Sequence, residues 1–313
     1  MRPLFVGGCE RSGTTMLGAM LGAHSQCICV PETQFIEHQF TRDGFDPGAL
    51  DPHQTLDRIV ADPRYRLLWQ MPIAPESVAA EQLGSTYPIL LSWLVKAYGR
   101  TRGKEDAAVW IDHTPTNFRR GLTLLRMFPE ARFIHLVRDG RAVAASLLPL
   151  DWGPNNTLHA AEFWMARCAA GLAAESQLGP ERVLRVRYED LVGDPSAALR
   201  RIAGFAGLDY QPAMAEGTGL QPNLYNEEQH QLVGHPPDRS RLEGWRQSLT
   251  PRQIEIFEAE AGEFLTTLGY VPLHGIRARP ATQIEVLRMR LGDLARRTGN
   301  NLRRHRRARR SLD

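Results

Sequence analysis

The chain has 313 residues, 42% of them hydrophobic, and a formal net charge of +3. That is enough apolar material for one large globular domain, or for a domain with an inserted lid, around a sizeable core. No apolar stretch approaches the ~20 residues that span a bilayer, which excludes an integral helical membrane protein.

In chain order, "MRPLFVGG" runs directly into a short apolar strand that ends in glycines, with no basic and apolar regions of a signal peptide, so the expectation is a soluble cytoplasmic protein. "TTMLGAMLGAH" has helical apolar spacing at Met16, Leu17, Met20 and Leu21, and "CICV" (27–30) is a second strand followed by "PETQF". Residues 35–106 read as proline-punctuated helical segments, including "YPILLSWLVKAYG" (87–99), and form the candidate lid or acceptor-site region; Trp69, Trp93 and Tyr98 default to core. "AVWIDHTP" (108–115) is a strand and turn, with a helix through "NFRRGLTLLRMF", and "FIHLV" is a strand that breaks at Arg138-Asp139-Gly140 into a helix. A helix over about 157–177, the strand "RVLRVRY", and helices from Ser196 and Pro251 complete the body. Strands alternating with helices predict an α/β fold with a central parallel sheet covered on both faces. The body is expected over 1–275, with a helical and basic extension over 276–313. In that extension "TQIEVLRMRLGDLARR" is amphipathic and either docks on the body or pairs with another subunit, while "RRHRRARR" (303–310) holds six arginines and reads as a solvated, disordered end rather than a nucleic-acid or membrane arm. Cys9, Cys27, Cys29 and Cys168 lack the spacing of a zinc site and are expected as structural thiols, with Cys9 open to alkylating reagents.

"GGCERSGTTMLG" (7–18) carries the chemistry. Gly8, Gly13 and Thr14-Thr15 fit the phosphate-loop pattern, except that Thr14 stands where ATP- and GTP-binding proteins place a lysine. A loop between strand and helix directs backbone N–H groups of Ser12 to Thr15 at an anion, and the helix N-terminus adds about half a positive charge. Arg11 supplies fixed charge from a new position. Thr15 would ordinarily hold Mg²⁺, but the nearest strand-end candidate, "FIHLVRD", puts Arg138 first, which suits a second phosphate and repels a metal. A structural ion pair of Arg138 with Asp139 or Glu189 is the alternative.

"RSGTT", "PET", "DHTP", "VRDGRAVAAS", "RYEDL", "VGHP" and "LEGW…LGY", from Pro3 to about Tyr270, resemble the sulfotransferases that use 3′-phosphoadenosine 5′-phosphosulfate (PAPS), and most nearly the bacterial branch related to tyrosylprotein sulfotransferases. The hormone-type branch is a poorer match, because its loop lysine and late Arg-Lys-Gly segment are missing. The resemblance implies a three-layer, P-loop-like fold with PAPS as donor, PAP as product, no metal, no nucleic acid and a hydroxyl-bearing acceptor on a small molecule, glycan, lipid or peptide; a homo-oligomer is left open. It further implies that Arg11, Ser12, Gly13, Thr14 and Thr15 bind the 5′-phosphosulfate, that Arg138 and Ser146 bind the 3′-phosphate, and that Tyr188 contacts the nucleotide. Glu32 falls at the general-base position, although an acid there also suits the start of a helix. His113 and His235 occupy positions where relatives carry lysines; with an ordinary pKa near 6.5 each is partly charged at neutral pH unless the phosphates raise it, and His113 is expected to donate to the bridging oxygen of the leaving group, satisfied structural histidines being the alternative for both. Packing is the default for His230 and Trp245. Two rival readings are a divergent P-loop kinase or NTPase, and a nucleotide-binding protein without turnover.

Overall fold

The computed structural model describes residues 1–40, 46–221 and 233–312. Strands β1 (Arg2–Gly8), β2 (Cys27–Val30), β3 (Val109–Asp112), β4 (Arg132–Val137) and β5 (Val183–Arg187) form one sheet in the order β2-β3-β1-β4-β5. Every pairing is parallel, with Leu4 opposite Ile111 on one side and Arg132 on the other. All five strands anticipated from the sequence are present.

Because successive strand residues face opposite ways, β1 divides its side chains between two cores. Leu4 and Val6 join Ile111, Ile134, Leu17 and Ile202 on one face, and Phe5 joins Trp110, Phe133 and the helical region on the other. Phe5 lies 5.5 Å from the Trp110 ring and 5.3 Å from Phe133, an aromatic cluster in which each fully buried ring contributes about 1.5–3 kcal/mol.

Helix α1 (Thr14–Gly22) links β1 to β2, and α2 (Gln34–Phe40), α3 (Pro52–Ala61), α4 (Pro63–Leu68), α5 (Ala80–Leu83) and α6 (Tyr87–Arg100) lie between β2 and β3. Helix α7 (Gly121–Met127) precedes β4, while α8 (Gly140–Leu147) and α9 (Thr157–Leu178) connect β4 to β5. Helices α10 (Tyr188–Gly193), α11 (Pro195–Ala206), α12 (Trp245–Ser248), α13 (Pro251–Thr267) and α14 (Gln283–Leu312) follow. Their starts are written in the sequence. In "GDP" and "LTP", Asp194 and Thr250 accept from the N–H groups of Ala197 and Gln253, and a proline takes the first helical position, where its missing N–H costs nothing.

Three expectations change. The segment 117–128 is not one helix: a 3₁₀ turn, Pro115–Arg120, precedes α7. The arginine-rich end is helical, as the last turns of α14, because arginine and leucine favour helix and Ala308 gains packing against the core of the helical region. Cys9 is fully buried in the cluster that holds Cys168, and burial drives its thiol pKa well upward, which closes it to alkylation. Trp245 is packed, with the Arg141 guanidinium 4.2 Å from its ring, and His230 lies outside the described residues.

Candidate active site

In a parallel sheet, ligands gather outside the carboxyl ends of the strands, at the point where the winding reverses. Here β1 has β3 on one side and β4 on the other, and each strand ends in a candidate residue. The phosphate loop follows Gly8, Glu32 follows Val30 by two positions, and His113, Arg138 and Tyr188 directly follow β3, β4 and β5.

The loop itself is sterically determined. Gly13 sits at φ 98°, and a Cβ there would meet the Tyr188 ring at 2.8 Å, so glycine answers both the left-handed backbone and the close approach of Tyr188. Among the described residues only two non-glycines have positive φ, Arg11 at 71° and Gln70 at 47°, and both border the site. Backbone held in this region costs about 1–3 kcal/mol per residue and is concentrated at ligand sites.

Arg11 Nε donates to Ser146 Oγ at 3.0 Å, Arg138 Nη1 donates to the Arg11 carbonyl at 2.9 Å, and the Arg138 guanidinium stacks 4.1 Å above the Tyr188 ring. Thus Arg11, Arg138, Ser146 and Tyr188 form one cluster around the loop. Burial and the neighbouring Arg138 bring Arg11 down to about 10, against the pull of Glu32, and it stays charged at neutral pH. The alternative ion pair for Arg138 is not seen: Asp139 pairs with Arg141, and Glu189 accepts from the Asp139 N–H and the Tyr270 hydroxyl.

A second cluster faces a cavity of about 290 Å³ lined by Thr15, Glu32, His113, Leu68 to Pro72, Tyr98, Thr101, Arg102, Leu220 and Gln221. His113 Nδ1 is 3.9 Å from Glu32 Oε1, too long for a hydrogen bond and close enough to share one substrate atom. Burial raises Glu32 to about 7; the Gln34 hydrogen bond opposes this, Asp112 and Glu10 add to it, and Arg64 opposes it again. Burial also lowers His113 to about 4, so it is neutral at neutral pH in place of the partial charge its ordinary pKa suggests. Trp69 Nε1 donates to the Glu32 carbonyl at 3.2 Å and fixes that turn from the helical region.

Four polar atoms of these residues are buried without a partner: Ser12 Oγ, Arg138 Nε and both ring nitrogens of His113. Stranded groups of this kind cost about 1–3 kcal/mol each unless a ligand completes them. The donor set suits an anion running from the arginine cluster towards the cavity. Thr14 is buried against the loop, whereas His235 is exposed, with its carbonyl facing Gly217, and does not join the His113 cluster. No group of three or more His, Cys, Asp or Glu among the described residues is placed to hold a metal.

Asp112, which carried no signal in the sequence beyond its place in "DHTP", ties the two strand ends together. Its Oδ1 accepts from the Thr114 N–H at 2.9 Å and hydroxyl at 2.6 Å, its Oδ2 accepts from the Thr33 hydroxyl, and the Thr33 N–H donates to Thr114 Oγ1 at 2.8 Å. Glu32 and His113 are the residues next to this knot. Replacing Asp112 with Ala leaves the two threonines unsatisfied, and the expected result is a loss of about 1–3 kcal/mol of stability together with at least about tenfold slower turnover. Thermal unfolding and a pH–rate profile check it: retention of the wild-type profile would assign Asp112 to folding alone. Arg102, Gln70 and Leu220 were also missed, because cavity walls assembled from separate loops have no sequence period.

The profile described as "Sulfotransferase family" matches residues 3–212. The protein-tyrosine sulfotransferase of Drosophila melanogaster is 24% identical over 290 residues, covering 86% of this chain and 52% of that protein. Protein-tyrosine sulfotransferase 2 of Gallus gallus is 25% identical over 238 residues, covering 74% and 55%. The chain therefore spans about half the length of these curated relatives. Among solved structures, the sulfotransferase domain from the curacin biosynthetic pathway superposes with a TM-score of 0.58 at 19% identity, covering 87% of this chain and 99% of that one. The sulfotransferase domain of the Synechococcus PCC 7002 olefin synthase gives 0.58 at 22% identity, covering 86% and 94%. Both share this parallel-sheet fold.

Proposed function

The chain belongs to the sulfotransferase family, and from that premise we propose that it moves the sulfuryl group of PAPS to a hydroxyl acceptor by in-line transfer, with Glu32 as general base. The observation that carries this reading is the placement of two charged guanidiniums, Arg11 and Arg138, around a phosphate-type loop whose partnerless donors continue to the Glu32–His113 pair. The loop from Arg11 to Thr15 holds the 5′-phosphosulfate, with Ser12 and Thr15 contributing hydroxyls and the first-turn N–H groups of α1 their unsatisfied hydrogens. Arg138 and Ser146 hold the 3′-phosphate, and Tyr188 packs against the nucleotide. His235, which is exposed, is assigned to the nucleotide with them.

When bound, PAPS supplies an activated sulfur–oxygen bond. Glu32 takes the proton from the acceptor hydroxyl as the oxygen attacks sulfur, and His113 donates a hydrogen bond to the bridging oxygen, which departs on the 5′-phosphate of PAP. A sulfuryl group carries less negative charge than a phosphoryl group, so arginines and a neutral imidazole are sufficient donors. Trp69, Met71, Pro72, Tyr98 and Leu220 give the cavity apolar walls, and its volume is at the small end of the ligand-pocket range, which suits one ring bearing the hydroxyl. The names of the curated relatives add a phenol to the acceptors worth assaying first.

Titration calorimetry with PAP, beside ATP with and without Mg²⁺, tests the donor site. PAP is expected to bind equally well in the presence of a chelator, and Arg138→Ala to weaken it by about 30-fold or more, the loss expected on removing a buried, charge-assisted contact. Mg²⁺-dependent ATP binding without PAP binding would overturn the proposal in favour of a kinase or NTPase.

A further inference from the structure

Helix α14 is attached to the body by one face. Arg252 donates to the two Glu285 oxygens at 2.9 and 2.8 Å, Asn156 Nδ2 donates to Asp293 Oδ2 at 3.0 Å, and Asn300 Nδ2 donates to Asn155 Oδ1 at 3.1 Å. Further along, Ala308 packs against the core of the helical region. These positions recur every three or four residues or multiples of a turn, as one side of a helix must.

The other side is apolar and bare. Ile284, Leu287, Leu291, Leu294 and Leu302 are 65%, 58%, 58%, 60% and 57% exposed. At about 100° per residue they fall within a sector of about 80°, roughly opposite the docked face, and extend along about 27 Å of helix. Scattered exposed leucines need no explanation, but five large apolar residues on one helix face, four of them between 284 and 294, mark a contact surface. Arg288 and Arg306 border the stripe on one side and Arg290 on the other, all exposed.

Charge decides the occupant. The helix carries ten arginines against two acidic residues, and both of these, Glu285 and Asp293, are engaged with the body. A second copy would set the flanking Arg288, Arg290 and Arg306 against their own counterparts with no carboxylate on that face to meet them, and a nucleic acid would use the arginines while leaving the leucines in water. An anionic lipid surface satisfies both, since guanidiniums meet the headgroups while leucines enter the acyl boundary. No helix among the described residues is long and apolar enough to cross a membrane, so the contact is in the interfacial plane. We propose that α14 is an interfacial anchor that seats the protein on anionic bilayers through the Ile284–Leu302 stripe and its flanking arginines.

Co-sedimentation of the full chain with vesicles tests this, using pure phosphatidylcholine beside vesicles in which about a third of the lipid is phosphatidylglycerol. Partition onto the anionic vesicles is expected to exceed that onto the neutral ones by at least about tenfold, and to fall as salt is raised. Leu291→Glu with Leu294→Glu should lower it by at least about tenfold, and the charge-neutral pair Leu287→Ser and Leu291→Ser should lower it as well, at an unchanged unfolding temperature. Absence of sedimentation, equal partition onto both vesicles, or full retention in the serine pair would overturn the proposal. So would a dimer in solution that the leucine substitutions dissociate without any vesicle binding, which would assign the stripe to a second copy.

Discussion

Glu32→Gln is expected to slow sulfuryl transfer by about 10²- to 10⁴-fold while leaving PAP affinity within about twofold. The substitution keeps the size of the side chain and its place beside the cavity, and removes only the ability to accept a proton. Glu32 is held above the ordinary carboxylate range, at about 7, chiefly by burial, so about half the molecules carry the basic form at neutral pH. Turnover in the wild type should therefore rise with pH through about 7 and level off above it, a limb that is absent from the residual activity of the Gln variant.

The same shift has a stability signature. A carboxyl whose folded pKa lies above its unfolded value favours the folded state fully below the unfolded pKa, and that stability is lost as pH rises through the folded value. Between about 4.5 and 7, wild-type stability thus falls relative to Glu32→Gln, leaving the variant the more stable protein at pH 8. Stopped-time assays across pH 5.5–9 with parallel thermal unfolding separate the two effects. Unchanged turnover in the Gln variant would assign the base to another residue.

His113→Ala is expected to lower kcat by about 10²- to 10³-fold, the magnitude of losing one donor to developing negative charge, with PAP affinity falling by less than about threefold. Neither ring nitrogen has a partner, and burial brings the group down to about 4, so it acts as a neutral donor. His113→Asn retains an N–H in the same pocket and should recover part of the rate, whereas a purely structural histidine would show no such rescue. Because the wild-type imidazole is neutral, no rate limb near 6.5 should be traceable to it. Equal losses in kcat and PAP affinity would make His113 a nucleotide-binding group and leave the leaving-group oxygen to the arginines.

Much of this site lies close to the surface of the sequence because parallel α/β chemistry is local. A strand followed by a glycine turn and a helix names its own phosphate loop, and "PET", "DHTP", "VRDG" and "RYED" each sit where a strand ends, so the residue type and its position could be read together. The spacing of short apolar runs likewise identified all five strands. Protonation was not legible in this way. His113 and Glu32 have ordinary pKa values in an isolated peptide, and it is chiefly burial in the folded chain, with the charges of Asp112 and Glu10 adding to it at Glu32, that moves them from those values.

The accessibility of Cys9, the clamp at Asp112 and the docking of the arginine-rich end are of the same kind. Each depends on what a distant segment brings alongside: Cys168 and its neighbours over Cys9, Thr33 from the turn after β2 beside Asp112, and Asn155, Asn156 and Arg252 beneath α14. Residue chemistry, strand and helix periodicity and cap signals are properties of adjacent positions, and so the sequence by itself determined the parallel α/β architecture and the identity of the groups at its strand ends. Burial, contact geometry and charge environment are sums over residues far apart in the chain, and only the tertiary structure decided the cavity walls, the neutral histidine, the raised carboxylate and the bare leucine face of the last helix.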